Sequence, residues 1–169
     1  MGIKISACRD EHLQGLDALW RRCLSDDPLW ESSGAAASAR RTSRSTLLLV
    51  ASVGTEIIGS VMAGYDGHRG WLYALAVLPG YRFDQVATNL VIEAEKQLTA
   101  IGCTKINLQI RGSNPQAQQF YRTMGYATED RISMGKRLEF HYGRAQPGSR
   151  SDAEQWPGNH GRDMPEVAD

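Results

Sequence analysis

Asn114-Pro115-Gln116-Ala117-Gln118-Gln119-Phe120-Tyr121-Arg122-Thr123-Met124-Gly125-Tyr126 carries helix signals at both of its ends. Asn114 suits the N-cap, where a side-chain oxygen accepts a backbone N–H that the helix leaves unpaired. Pro115 fits the first helical position, which needs no N–H. Ala117, Phe120 and Met124 stand at i, i+3 and i+7, a spacing that predicts one shared buried face. Gly125 is suited to close the helix in the left-handed conformation. Tyr121 follows Phe120 directly, so its hydroxyl is expected along a different edge.

Working outward, Lys105–Ile110 reads as a strand leading into this helix. Before it, Val86, Leu90, Ala94, Leu98 and Ile101 form the apolar stripe of a longer helix over 86–101, with Gly102 just past its end. Trp71–Leu78 is an apolar strand stopped by Pro79, preceded by the turn cluster Asp66-Gly67-His68-Arg69-Gly70. Leu47–Val53 and Ile57–Ala63 are β-prone runs joined by Gly54-Thr55-Glu56, which predicts a hairpin. Residues 3–8 read as a first strand, and Asp10 as the N-cap of a helix through about Leu24. Residues 31–45 lack an apolar stripe and are expected as a loose helix or a loop. Thr128–Leu138 reads as a final strand. The order β-α-(α)-β-β-β-α-β-α-β predicts a mixed α/β (α+β) domain over 1–138, with one sheet and helices packed on it. Residues 139–169 are rich in Gly and Pro and poor in large apolar side chains. Such a tail offers too little surface to offset its ordering entropy and is expected to be disordered.

With 19 basic and 19 acidic residues the formal charge is zero, so no broad footprint for nucleic acid is expected. No apolar run reaches the roughly 18 residues of a membrane span, and the N-terminus lacks a secretory core. Cys8, Cys23 and Cys103 show neither a metal-ligand spacing nor a disulfide framework, so no metal is expected and the cytoplasm is the expected compartment.

The 114–126 segment, through Asn114, Ala117, Tyr121, Gly125 and Tyr126, resembles the N-x-x-A-x-x-x-Y-x-x-x-G-Y/F motif of the GNAT family of acetyl-CoA-dependent N-acetyltransferases. Leu75-Ala76-Val77-Leu78-Pro79-Gly80-Tyr81-Arg82-Phe83-Asp84-Gln85-Val86-Ala87 is similar to that family's acetyl-CoA segment, a strand followed by R/Q-x-x-G-x-G/A at a helix start. The resemblance covers residues 3 to about 138. It implies a central, mixed, mostly antiparallel sheet flanked by helices. It implies acetyl-CoA as co-substrate, lying between the strands 71–78 and 105–110, with no metal. The expected contacts are Leu75, Ala76, Val77, Arg82, Phe83, Asp84, Gln85, Val86 and Ala87, with Asn114 on the pantetheine arm and Tyr121 protonating the departing thiolate. A helix N-terminus suits a pyrophosphate through its unpaired N–H groups and dipole. The acceptor is expected to be an amine, of a small molecule or of a protein or peptide, and a homodimer is one assembly the resemblance admits.

The loop departs from the family pattern. Gln85 stands where the family has glycine, and Phe83 and Asp84 where close relatives carry a glycine and a basic residue. The position of a family glutamate base holds Gln109, which takes up no proton. Gly64–Gly70 resembles one bacterial subgroup of GNAT proteins, which makes Asp66, His68 and Arg69 candidates for the acceptor end; the competing reading is a tight polar hairpin, for which Asp-Gly is a usual turn dipeptide. A histidine titrates in the range a base requires, and Asp66 would act through water. The departures motivate a rival reading, a GNAT-fold binding or regulatory module with little catalysis.

Overall fold

The computed structural model describes residues 2–24, 46–82 and 85–136. The expectations for residues 31–45, for Phe83 and Asp84, and for the tail 139–169 lie outside the described residues. The chain divides into two units, Met1–Thr128 and Glu129–Asp169.

In the first unit the strands are β1 (Lys4–Ala7), β2 (Thr46–Val53), β3 (Glu56–Tyr65), β4 (Gly70–Val77) and β5 (Ile106–Leu108). They form one five-stranded sheet in the order β1-β2-β3-β4-β5. All neighbours are antiparallel except β4 and β5, which run parallel. The helices are α1 (Leu13–Cys23), α2 (Val86–Ala100) and α3 (Pro115–Thr123). This is the mixed, mostly antiparallel sheet with flanking helices that the sequence predicts.

Alternation along the strands sends side chains to two cores. Leu48, Val50, Ile57 and Ala76 join Leu16, Leu19 and Trp20 of α1. Leu49, Ala51, Ile58, Val61, Ala63, Leu72 and Val77 join Val86, Leu90, Val91, Ala94 and Leu98 of α2, together with Tyr121 of α3. Each large side chain so buried contributes about 1.5–3 kcal/mol. Helix α2 comes unusually close to the sheet at Gly59. A Cβ there would lie 2.9 Å from Val86 Cγ1 and 3.2 Å from the Ala76 carbonyl oxygen, so glycine is required.

Three local expectations are corrected. Asp10 does not cap α1; a 3-10 turn, Asp10–His12, precedes it, and the His12 Nδ1 accepts the Arg9 N–H at 3.1 Å. The predicted strand 105–110 is paired only over Ile106–Leu108, because its partner β4 leaves it there. Residues 127–136 form no strand where 128–138 was expected. Ile132 and Met134, the apolar residues of that run, are 92% exposed, so no burial drives pairing.

Beyond Val77, a 3-10 turn over Pro79–Tyr81 leads towards α2. Gln85 caps α2 in the left-handed region at φ 57° and ψ 16°, and its carbonyl accepts the Asn89 N–H at 2.9 Å. That conformation costs a residue bearing a Cβ about 1–2 kcal/mol, whereas glycine enters it freely. This is the position where the family carries glycine, and the backbone supplies the physical reason. Gln85→Gly is therefore expected to raise stability by about 0.5–1 kcal/mol after glycine's larger entropy loss, a melting-temperature gain of about 1–4 °C. Differential scanning calorimetry checks this; a lower melting temperature would show that the glutamine side chain contributes more than the strain removes.

Candidate active site

Pairing between β4 and β5 covers Gly70–Leu72 against Ile106–Leu108 and stops there. Strand β4 continues for five more residues, to Val77, still paired with β3 on its other edge. Its far edge over Ala74–Val77 has no strand partner among the described residues. Unpaired edge N–H and C=O groups must find other partners. Parallel strands of an open sheet bind ligands outside their carboxyl ends, where the chain leaves in different directions. The opening has that location, with α2 beginning after β4 and α3 after β5.

A bulge decides which backbone groups line the opening. The Gly70 N–H donates to the Lys105 carbonyl at 2.8 Å, so even-numbered residues face β5 at the start of β4. The Leu78 N–H donates to the Ile58 carbonyl at 2.9 Å, so even-numbered residues face β3 at the end. The register shift lies between Ser60 and Met62 of β3, opposite Tyr73–Ala76. Ala74 carries it, at φ 46°. An extra residue in one strand is the definition of a bulge and reverses the alternation beyond it. After the bulge the N–H groups of Leu75 and Val77 face the opening. Without it they would face β3.

The helix termini complete the site. The N–H groups of Val86, Ala87 and Thr88, in the first turn of α2, have no carbonyl within the helix to bond. With the dipole, they make that end receptive to an anion. Arg82 is exposed in the approach to this end. Cys23, at the end of α1, lies 3.6 Å from the Val77 carbonyl oxygen. Burial raises its thiol pKa against the opposing pull of Arg82 and Arg22, which makes it a poor nucleophile.

Helix α3 starts as its sequence predicts, with Asn114 Oδ1 accepting the Ala117 N–H at 3.0 Å. Its buried residue differs from the expected face. Ala117, Phe120 and Met124 are half-buried, whereas Tyr121 is 8% exposed. Its ring meets Phe120 and Tyr126 edge-on, with centroids 5.0 Å and 5.4 Å away. Burial pushes the Tyr121 hydroxyl up to about 12. Tyr126, beyond the helix, donates its hydroxyl to Glu95 Oε1 of α2 at 2.8 Å, tying α3 to α2. Burial and then this bond raise the Tyr126 pKa as well.

Asp66 and His68 lie elsewhere. They form the β3–β4 hairpin, at the start of β4, about 20 Å along the strand from Val77 at the usual rise. Asp66 Oδ1 accepts the N–H groups of His68 and Arg69, at 2.7 Å and 2.6 Å. The N–H bonds of Arg69 and then His68 hold this carboxyl below the ordinary aspartate range, which makes it a weaker base still. Tyr65 Oη lies 3.3 Å from the Gly102 carbonyl, anchoring the same hairpin to the end of α2. The geometry therefore brings the Leu75 and Val77 N–H groups and the start of α2, Gln85, Val86 and Ala87, to the β4–β5 opening, packs Tyr121 in the same core as Val77 and Val86, leaves Asn114 as the cap of α3, turns Ala76 to β3 and α1, and keeps Asp66 and His68 at the other end of the sheet. Phe83 and Asp84 lie outside the described residues.

Residues 7–126 match the Acetyltransferase (GNAT) family profile. The chain belongs to that family. Among its relatives, acetyltransferase ECA0875 of Pectobacterium atrosepticum is 39% identical over 136 residues, covering 80% of this chain and 96% of the relative. Acetyltransferase SG1711 of Sodalis glossinidius is 38% identical over 137 residues, covering 80% and 96%. The structure of AAC(6')-Iy with the bisubstrate analogue CoA-S-monomethyl-acetylneamine shares the fold, with a TM-score of 0.69 at 17% identity over 82% of this chain and 99% of that one. The protein is thus a GNAT acyltransferase. Among its described residues no group of three His, Cys, Asp or Glu side chains converges as metal ligands, and no helix is long and apolar enough to cross a membrane.

The GNAT sheet also contains functional features that sequence reasoning missed. Nothing in the Trp71–Leu78 run announces a bulge at Ala74. Ser60 was a legible signal, since it interrupts the apolar run Ile57–Ala63 on a face that alternation buries.

Because folding raises the Tyr121 pKa from 10 to about 12, the folded state holds that proton more tightly than the unfolded chain. Its contribution is whole below about pH 10 and is lost as the pH climbs towards about 12. Urea unfolding across about pH 9–12 is expected to show stability falling in this window, with a shallower fall for Tyr121→Phe. An identical fall in that variant would assign the loss to other groups.

Proposed function

We propose that this GNAT protein is an N-acetyltransferase that moves the acetyl group of acetyl-CoA to an amine by direct attack. The observation that carries the proposal is the open edge of β4 ending beside the α2 N-terminus. An extended chain with amide groups is held by an unpaired strand edge as an added strand would be. The pantetheine arm has that chemistry, and the pyrophosphate has the charge that the α2 N-terminus attracts. The CoA-linked analogue in the AAC(6')-Iy complex supports the same reading by fold likeness.

Acetyl-CoA supplies an acetyl group activated as a thioester. The N–H groups of Leu75 and Val77 hold the arm and the thioester carbonyl. Arg82 and the first turn of α2 hold the phosphates. Positioning an amine against that carbonyl removes much of the entropic barrier. Tyr121 answers the charge that develops on the leaving sulfur. Its phenol stays protonated across the neutral range, with a pKa near 12. Complete proton transfer to a thiolate of ordinary pKa, about 8.5, would run uphill by roughly 3.5 units, or about 5 kcal/mol. Tyr121 therefore acts first as a hydrogen-bond donor to the sulfur; its proton follows as CoA departs as the thiol, and the phenolate recovers one from the water chain that carries off the amine's proton. The acceptor is a small-molecule or peptide amine, and the resting place of its proton is a water chain rather than Asp66 or His68.

Release of free thiol from acetyl-CoA over a panel of polyamines, aminoglycosides, amino acids and N-terminal peptides tests the proposal. Turnover on one class is expected. Acetyl-CoA binding with no turnover on any amine would favour the binding-module alternative. With the active amine, Tyr121→Phe is expected to lower kcat by roughly 10²-fold with little change in acetyl-CoA affinity. Unchanged turnover, with chemistry rate-limiting, would remove Tyr121 from the mechanism.

A further inference from the structure

Ser60 is fully buried in β3, and Trp20 of α1 is equally enclosed. The Trp20 indole N–H donates to Ser60 Oγ at 2.9 Å. The Ser60 hydroxyl then donates to the Ala74 carbonyl at 3.3 Å. A buried hydroxyl without partners is costly, and here both of its capacities are used. The chain of bonds ends on the one residue of β4 in the left-handed region, at φ 46°. Alanine resists that conformation, so the surroundings must hold it there. Ladder pairing acts only on either side of it, at Met62↔Tyr73 and Ser60↔Ala76, and leaves Ala74 itself without a ladder partner.

We infer that Trp20 and Ser60 are positioning residues for acetyl transfer: through the Ala74 carbonyl they lock the β4 bulge, and so aim the Leu75 and Val77 N–H groups into the opening. This rests on the reading that the open β4 edge holds acetyl-CoA. Trp20 and Ser60 lie on the α1 side of the sheet and touch no substrate. They act through the strand. The reversal of alternation occurs within the residues they hold, so slackening at Ala74 displaces the adjacent Leu75 N–H first, whereas that of Val77 is also held by the ladder bonds on either side of it. The N-terminus of α2, fixed by its own core, keeps its orientation.

The two halves of coenzyme A separate this role from simple core packing. Acetyl-CoA engages both the β4 edge and the α2 N-terminus, whereas the isolated 3′-phospho-ADP half engages only the helix. Calorimetry on the full chain with each ligand is the test. Ser60→Ala is expected to raise the acetyl-CoA Kd about tenfold, the scale on which one hydrogen bond acts, and to leave the nucleotide Kd within about twofold. Trp20→Phe, which removes the donor but keeps the hydroxyl on Ala74, is expected to give a smaller shift of the same kind. If Ser60→Ala does not fold, Trp20→Phe alone carries the comparison. Ala74→Gly removes the resistance to the left-handed conformation, so in that background the Ser60→Ala effect on acetyl-CoA is expected to shrink below about threefold. Equal weakening of both ligands, the same effect in both backgrounds, or no effect would overturn the inference and leave Ser60 as core packing. Failure of the unsubstituted protein to bind acetyl-CoA at all would instead overturn the acetyl-CoA reading itself.

Discussion

Two parallel strands that part company leave half a ladder of backbone groups with no strand partner among the described residues, and the candidate site of this protein is organised around that deficit. Strands β4 and β5 pair over three residues and then separate. An open edge of this kind invites association unless something occupies it or turns it aside. Here α2 and α3 leave from the two strands around the opening, so the deficit becomes a slot with charge-receptive helix termini beside it. The bulge at Ala74 then selects which amides face the slot. None of these features is a catalytic side chain, yet in the proposed acetyl transfer they set where the ligand amides and thioester lie. The local strain sits in the same place. Ala74, just before the segment 75–87, and Gln85, within it, are the non-glycine residues with positive φ among those described. Such concentration of strain is usual where the backbone is shaped for binding.

Much of this was legible in the residues because local chemistry decided it. Asn114 and Pro115 mark the start of α3 by capping alone, and the stripe Val86, Leu90, Ala94, Leu98 marks α2 by period. The strands from β2 to β4 announce themselves through β-prone runs broken at Gly54 and Asp66. What escaped depends on contacts between distant segments. Spacing within α3 placed Phe120 and Met124 inward, but the core formed with α2 draws Tyr121 deepest. The Ala74 bulge leaves no trace in its own strand, and the side chain bonded to its carbonyl, Ser60, stands on the neighbouring β3. The hairpin residues Asp66 and His68 were read for their titration chemistry, whereas Asp66 uses its carboxylate to hold the turn. Residues 128–138 had strand composition, but composition does not supply a partner. The Gln85 departure is the reverse case. The sequence flagged it as a lost glycine, and the backbone retains the glycine conformation at a cost in strain.

Helices α2 and α3 form a coupled pair. The one begins after β4 and the other after β5, and the Tyr126 hydroxyl on Glu95 joins the end of α3 to the middle of α2. The contact is charge-assisted, a stronger class than a neutral hydrogen bond. Tyr121 packs edge-on against the same Tyr126 ring. The orientation of the phenol proposed to face sulfur is therefore set partly by a residue that lies outside helix α3 and away from the reacting atoms.

The reversal of alternation within β4 has a consequence for dynamics. Neighbouring amides along one strand belong to different protection classes. Those of Ala76 and Leu78 point into the β3 ladder, whereas those of Leu75 and Val77 point to an edge with no strand beside it among the described residues. Exchange with deuterated solvent reports such differences one amide at a time, because slow exchange requires the ladder to open. The strand that carries the site is thus rigid along one side and chemically labile along the other. Its open side is a built-in reporter, whose exchange slows only when something with carbonyl groups lies down along it.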